Sequence, residues 1–167
     1  WKRYSPQLFV TASHATQFNL EMPFGKGLIV SGNNRFYALD KKQFREFTTF
    51  LRGVLFNGKE DDLLSFLNRI KAPVIETRPV PAVWVAAGNC LIGDAKKTKN
   101  SMAVTALSRY GFNQLVGYTV PSWYGKGGWG TLGLLFSNHD ASSLAEAWYL
   151  NNQFILDETM TRFPKLM

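Results

Sequence analysis

The side chains best suited to covalent chemistry are a cysteine and a histidine, and each follows a predicted strand. Cys90 is the one cysteine of the chain, and His14 is one of its two histidines. The apolar run Leu8–Ala12 (LFVTA) precedes His14, and the apolar run Ala82–Ala87 (AVWVAA) precedes Cys90. Because the carboxyl ends of neighbouring parallel strands meet at one edge of a sheet, we expect both side chains to lie side by side there. A thiol beside an imidazole is the nucleophile and base of a cysteine hydrolase.

The thiol of a cysteine needs assistance to become a thiolate near neutral pH. A free cysteine has a pKa of about 8.5, and nearby positive charge favours the thiolate. Lys96, Lys97 and Lys99 follow Cys90 closely and are expected to contribute such a field. The alternative is that Cys90 is a small buried apolar residue and His14 a hydrogen-bonded structural one.

The elements that must position these residues alternate between strands and amphipathic helices. Further strands are predicted at Leu28–Ser31, Arg35–Leu39 and Leu115–Val120, and helices at Lys41–Phe56, Lys59–Ile70, Asn100–Tyr110 and Ser142–Met160. Residues 17–26 are predicted to form a loop, Gly32-Asn33-Asn34 a hairpin turn, and Ser143 with Glu146 a capping box.

Buried strands that alternate with helices favour an α/β fold with a parallel sheet sandwiched by helices. The 167 residues fit one domain. The composition, 46% hydrophobic and 19% charged, is typical of a globular chain and argues against disorder. No intrachain disulfide can form from a single cysteine, and Pro, Gly and Asn interrupt every stretch that approaches the length of a membrane span.

The excess of basic residues raises nucleic acid and acidic membrane surfaces as partners. The formal net charge is +7, yet the basic residues are scattered along the chain. The densest group, Lys96, Lys97 and Lys99, falls in a short predicted loop. Because no nucleic-acid motif accompanies it, we expect a solvated basic face, with neither a nucleic-acid partner nor a membrane span.

The segment Ser122–Gly133 is rich in glycine and aromatic residues and has two interpretations. It forms a wall of a substrate cleft, where rings make contact and glycines allow close backbone approach, or it is a packed loop whose rings complete the core. The pair His139 and Asp140 is most simply a surface residue and an acid before a helix. A zinc site from His14, His139 and Cys90 lacks the local spacing of metal ligands, so no metal and no cofactor are expected.

The two strand-end motifs, LFVTASHAT and VWVAAGNC, resemble clan CD cysteine peptidases, the group that contains caspases and gingipains. The stretches GNCLIGD and LVGYTVPSWYGKGGWG are more similar to bacterial gingipain-like proteins than to caspases. The resemblance covers about Leu8 to Trp148. It implies a caspase-like three-layer α/β/α sandwich with a mainly parallel sheet, a peptide or protein substrate, and an exported protein.

The resemblance also implies a role for each matching residue. His14 would be the general base and acid, and Cys90 the nucleophile. The backbone N–H groups of Ala15 and Cys90 would form the oxyanion hole. The expected substrate-pocket residues are Tyr118, Ser122 and Trp123. Because gingipains cut after Arg or Lys, an acid near the dyad in sequence is also expected to line the pocket, the candidates being Asp94, Glu76 and Glu21.

The chain departs from the family pattern at two places and at its start. The family usually has His-Gly and Ala-Cys, where this chain has His14-Ala15 and Asn89-Cys90. The family fold carries strands and a helix before the histidine strand, whereas seven residues precede Leu8. We therefore expect residues 1–167 to form one gingipain-like domain that is truncated at its N-terminus or has an incomplete sheet.

Three functional hypotheses follow. The first is a cysteine endopeptidase that acts through His14, Cys90 and a thioester. The second is a catalytically inactive module of the same fold that binds a peptide or glycan through residues 122–133. The third is a basic nucleic-acid surface, which lacks a supporting motif.

Overall fold

A computed structural model describes residues 7–22, 25–57, 61–76, 81–95, 100–122, 126–137 and 143–166. Within these ranges the chain forms seven strands and five α-helices. The strands are β1 (Leu8–Val10), β2 (Ala15–Thr16), β3 (Asn19–Glu21), β4 (Gly27–Gly32), β5 (Arg35–Asp40), β6 (Ala82–Val85) and β7 (Phe112–Val116). The helices are α1 (Lys41–Asn57), α2 (Asp61–Arg69), α3 (Met102–Arg109), α4 (Lys126–Ser137) and α5 (Leu144–Arg162).

Strands β1, β6 and β7 form a parallel sheet in the order β1-β6-β7. Phe9 lies opposite Trp84, and Trp84 lies opposite Leu115. The central strand β6 is covered on both faces and its Ala82, Trp84 and Val85 side chains are buried, which explains its unbroken apolar sequence. The prediction that the histidine-bearing and cysteine-bearing strands are parallel neighbours is confirmed.

The other four strands form a separate antiparallel sheet in the order β2-β3-β4-β5. Its β4–β5 hairpin is the predicted one, and Asn33 and Asn34 have φ of 48° and 54°, as a type I′ turn requires. The prediction of a loop over residues 17–26 is wrong for Asn19–Glu21, which pairs with β4. Three residues are too few for a recognisable alternation, and pairing with β4 buries Asn19 and Leu20.

Helices cover both faces of the parallel sheet. Helices α4 and α5 pack on one face, where Val85 meets Leu132 and Leu144. On the opposite face, Trp84 shares a core with residues of α3 and with Phe36 of the antiparallel sheet. Residues of helices therefore pack against each face of this sheet, and on one face the antiparallel sheet contributes to the same core.

Helices α1 and α2 pack on the antiparallel sheet, through a core that includes Phe47, Leu67 and Val30. The described chain is therefore a mixed α/β structure with two sheets. The prediction of a single, mainly parallel sheet needs correction, because four of the seven described strands are antiparallel.

Within the segment Ser122–Gly133, the residues from Lys126 onward form helix α4 in place of the packed loop of one interpretation, and residues 123–125 lie outside the described ranges. Glycine disfavours a helix interior by about 1 kcal/mol per residue, so composition alone argues against a helix here. An added Cβ on Gly128 would lie 2.3 Å from Ala87 Cα, and one on Gly130 would lie 2.0 Å from Asn151 Oδ1. Close tertiary packing of α4 therefore overrides the intrinsic propensity of its residues.

Strand β7 begins at Phe112, three residues before the start of the predicted strand Leu115–Val120, and it ends at Val116, before the predicted end. Phe112 is paired with Ala82 of β6 and is buried, so the pairing extends the strand back to the end of α3. Gly111, with φ of 72°, makes the left-handed turn that separates α3 from β7, a conformation that glycine adopts at helix ends without the steric cost of a side chain.

Helix α5 begins with the predicted capping box. Glu146 N–H donates to Ser143 Oγ over 3.2 Å, and Ser143 N–H donates to Glu146 Oε2 over 2.6 Å. The hydrogen bonds from Ser143 hold the pKa of the Glu146 carboxyl below its ordinary value. In the described ranges, every helix is too short or too polar to cross a bilayer.

Tyr110 joins three parts of the fold through a buried phenol. Its hydroxyl accepts a hydrogen bond from Phe36 N–H over 2.9 Å and donates to the Ile75 carbonyl over 2.7 Å. Burial raises the pKa of the Tyr110 phenol above its ordinary value, so the proton needed for the second bond stays in place. This junction lies between β5, the end of α3 and the segment that follows α2.

Candidate active site

Three chain segments converge at the carboxyl edge of the parallel sheet, one after each strand. The Gly88 N–H donates to the Thr11 carbonyl over 3.3 Å, and the Gly93 N–H donates to the Tyr118 carbonyl over 2.9 Å. Gly93 has no room for a side chain, since an added Cβ would lie 2.4 Å from the Gly117 carbonyl oxygen. The edge therefore gathers residues 11–14, 88–94 and 117–122.

Cys90 lies half-buried at this edge, and its sulfur contacts Ser122 of the segment after β7. The thiol donates to the Ser122 carbonyl over 3.1 Å, and the Ser122 N–H donates to Sγ over 3.4 Å. A thiolate would keep the bond from the N–H and lose the bond to the carbonyl, because only S–H can donate. Ser122, which the resemblance predicts to line the pocket, therefore lies in direct contact with the candidate nucleophile.

The turn after Cys90 has an unusual backbone. Leu91 has a φ of 57°, in the left-handed region that costs a residue other than glycine about 1–2 kcal/mol. The Asp94 N–H donates to the Leu91 carbonyl over 3.0 Å and closes the turn, and Ile92 within it is fully buried. Strained conformations concentrate at functional sites. No signal in the sequence marks this turn, since leucine is not a residue that favours left-handed backbone.

His14 approaches the same edge from the segment after β1, with an exposed side chain. Its carbonyl accepts from the Glu21 N–H over 2.9 Å, and Ser13 Oγ donates to the Glu21 carbonyl over 2.7 Å. Among the described residues no hydrogen bond joins the imidazole to the Cys90 thiol, whose bonds go to Ser122. Catalytic hydrogen bonds often form fully only when substrate binds, so this arrangement is compatible with a catalytic pair.

Asn89 joins the histidine and cysteine segments, although the sequence marks it only as a departure from the family pattern. Its side chain is fully buried. Nδ2 donates to the Ser13 carbonyl over 2.8 Å, and Oδ1 accepts from the Thr11 hydroxyl. Ser13 precedes His14 and Asn89 precedes Cys90, so this amide connects the backbone just before each candidate residue.

Two other predicted site residues, Ala15 and Tyr118, take part in the packing around the edge. Ala15 begins β2, lies opposite Leu20 and packs against the core. The Tyr118 hydroxyl accepts from the Gly128 N–H over 2.9 Å. Tyr118 therefore connects the loop after β7 to the first turn of α4.

The three acids predicted from the sequence to be candidate pocket residues lie in different surroundings. Asp94 is half-buried in the turn after Cys90. Glu21 has its backbone beside Ser13 and His14, whereas Glu76 lines a separate cavity of about 700 Å³ against the antiparallel sheet. The remaining predicted residues lie outside the described ranges: Lys96, Lys97, Lys99, Trp123, His139 and Asp140.

No three His, Cys, Asp or Glu side chains in the described ranges lie close enough together to hold a metal ion. The contacts at the carboxyl edge are made instead by one thiol, one buried amide, hydroxyl groups and backbone polar groups. Comparisons with protein-family models, with curated protein sequences and with solved structures found no match to this chain.

Proposed function

We propose that this protein is a cysteine endopeptidase in which Cys90 is the nucleophile and His14 is the general base and acid. The observation that carries the proposal is the parallel pairing of β1 with β6, which ends both strands at one edge of the sheet. The bond of 2.8 Å from Asn89 to the Ser13 carbonyl supports it, because it links the residues that precede the two candidates.

The proposed reaction is acyl transfer through a thioester. The His14 imidazole takes the proton of the Cys90 thiol, and the thiolate forms a C–S bond with the scissile carbonyl carbon. When the tetrahedral intermediate collapses, the C–N bond breaks and the imidazolium gives its proton to the leaving amine. Water then attacks the thioester and passes a proton to His14. The C–S bond breaks, the product acid leaves, and Cys90 regains its proton.

The proposed oxyanion hole consists of the backbone N–H groups of Cys90 and Ala15, as the resemblance to gingipain-like peptidases implies. Backbone donors suit a developing oxyanion because they are fixed before the reaction. The proposed substrate pocket includes Ser122, Trp123, Tyr118 and Asp94. The contact of Ser122 with Sγ supports its inclusion, and an acid such as Asp94 would favour a basic substrate side chain.

We propose that the α/β structure is a caspase-like three-layer α/β/α sandwich. Two features support it: the strand order β1-β6-β7 and the helices on both faces of that sheet, with α4 and α5 on one and α3 on the other. The four-stranded antiparallel sheet is then an addition between the histidine strand and the cysteine strand.

The second candidate function is a catalytically inactive module of the same fold that binds a peptide or glycan. The observation that favours it is the bonding of the Cys90 thiol to Ser122 in place of His14. The binding segment predicted for this module, residues 122–133, includes the first part of helix α4, on which Trp129 is half-exposed.

Replacing His14 by alanine is expected to slow the alkylation of Cys90 by iodoacetamide about tenfold at pH 7, because an unassisted cysteine is only a few per cent thiolate there. An imidazole partner that takes the thiol proton increases that fraction. Since the chain has a single cysteine, intact-protein mass spectrometry measures the alkylation of Cys90 directly.

His139→Ala is the matched control for this experiment, because it removes the other histidine of the chain, and it should react at the wild-type rate. Equal rates in the wild type and in His14→Ala would contradict the dyad. A thiol that resists alkylation in all three proteins would favour the binding module.

A further inference from the structure

Asn89 is a polar side chain with no exposed surface at the candidate site. Burying an amide is costly unless its hydrogen bonds are made. In the described structure its bonds all go to the segment that leads to His14. Oδ1 accepts from the Thr11 hydroxyl, and Nδ2 donates to the Ser13 carbonyl over 2.8 Å and to Ser13 Oγ over 3.1 Å.

The neighbouring hydrogen bonds permit one orientation of this amide. Thr11 Oγ1 accepts from Trp84 Nε1 over 2.8 Å, which leaves its own proton for Asn89 Oδ1. Ser13 Oγ gives its proton to the Glu21 carbonyl over 2.7 Å, so it accepts from Nδ2, as does the Ser13 carbonyl. A donor is therefore required on the side that faces Ser13. A carboxylate of the same shape would place an oxygen against a carbonyl oxygen.

Through its backbone, Asn89 is joined directly to Cys90 and to the turn that follows it. The left-handed Leu91 and the bond of 3.0 Å from Asp94 N–H to the Leu91 carbonyl close that turn. Cys90 thus lies between a buried anchor and a closed turn. Its position relative to the histidine segment therefore depends on the amide that connects the two.

We infer that Asn89 is a positioning residue that sets the distance between the Cys90 thiol and the His14 imidazole. The inference rests on the proposed dyad. Asn89 acts through the backbone of Ser13 and of Cys90, and its side-chain hydrogen bonds go to Thr11 and Ser13 and not to either reacting group. In the family that the chain resembles, alanine usually occupies this position, so the amide connection is a feature of this chain.

The test compares four proteins: the wild type, Asn89→Asp, His14→Ala and the double variant. Asn89→Asp keeps the side-chain shape and removes the donor. It should slow alkylation of Cys90 by iodoacetamide about tenfold at pH 7 and lower kcat for a fluorogenic peptide about a hundredfold. KM should change little, because the dyad geometry is altered and the substrate contacts are not. The double variant should alkylate no more slowly than His14→Ala, since two residues that act as one unit are non-additive.

Tyr110→Phe is the matched control, because it also removes a buried hydrogen-bonding group but at the junction of β5 and α3. It should keep the wild-type alkylation rate across the pH range in which cysteine titrates. Ser13→Ala removes the acceptor at 3.1 Å and also the hydroxyl that donates to the Glu21 carbonyl, but it leaves the Ser13 carbonyl in place. It should give a smaller change in the same direction as Asn89→Asp.

Each other result overturns the inference in a recognisable way. A folded Asn89→Asp with wild-type rates would refute the positioning role and leave the dyad standing. Equal slowing with and without His14 would assign the effect to general loosening. If Asn89→Asp does not fold, Ser13→Ala decides, and wild-type rates there refute the role. Equal rates in the wild type and His14→Ala would refute the dyad itself, and the inference with it.

Discussion

Replacing Cys90 by alanine is expected to abolish peptide hydrolysis and to lower kcat/KM by at least about a thousandfold. In the proposed reaction the sulfur forms the bond to the acyl carbon, and the chain has no second cysteine to take its place. The measurement is the hydrolysis of a mixed library of fluorogenic peptides by the wild type and the variant. The same library identifies the residue preferred at the cleavage site.

Cys90→Ser is the matched variant, because its hydroxyl can retain the hydrogen bonds to Ser122 while being a much weaker nucleophile. It should be nearly as inactive as Cys90→Ala and should unfold at the wild-type temperature. Hydrolysis that persists undiminished in both variants would assign the activity to another residue or to a co-purified peptidase.

Replacing Gly128 by alanine is expected to destabilise the protein by roughly 1–3 kcal/mol, as overpacking of a close contact does. An added Cβ would lie 2.3 Å from Ala87 Cα and 2.5 Å from the Ala87 carbonyl oxygen. These are backbone atoms of the segment that leads to Cys90, so either helix α4 or that segment must move. The free energy of unfolding in urea measures the loss, and the alkylation rate of Cys90 reports the displacement of the turn.

Gly133→Ala is the control for this prediction, because it makes the same change in the same helix at a position where, among the described residues, nothing beyond the chain neighbours and the helix's own backbone lies within 4 Å of the added Cβ. It should stabilise the protein by about 0.5–1 kcal/mol, since alanine favours a helix interior over glycine. Equal effects of the two substitutions would contradict the close packing of α4 on Ala87.

The elements with strong local patterns were predictable from the sequence. The run AVWVAA indicates a strand covered on both faces, and β6 lies at the centre of the parallel sheet. Gly32-Asn33-Asn34 indicates a tight turn, and both asparagines adopt positive φ. Because parallel strands end at one edge, the adjacency of the segments that carry His14 and Cys90 was predictable as well.

The remaining features depend on contacts between residues that are distant in sequence. Helix α4 forms in a glycine-rich segment because those glycines allow it to approach Ala87 and Asn151. Asn89 becomes a connecting residue only when Thr11 and Ser13 are placed opposite it. No local pattern in a single sequence contains these pairings. The glycine-rich composition therefore favoured a loop where α4 forms, and Asn89 stood out only as a departure from a family motif.

Detection of an acyl group on Cys90 tests the central claim most directly. The wild type, Cys90→Ala and His14→Ala are mixed with a panel of N-acetyl amino acid p-nitrophenyl esters and quenched in acid after increasing times. Intact-protein mass spectrometry then gives the mass added to each protein, and peptide mapping locates it.

We expect a transient acyl adduct on Cys90 in the wild type and none at this position in Cys90→Ala. The adduct should live longer in His14→Ala, because hydrolysis of the thioester needs the imidazole as base. An adduct that is missing from Cys90, or one that decays equally fast with and without His14, would contradict a cysteine peptidase that works through this pair.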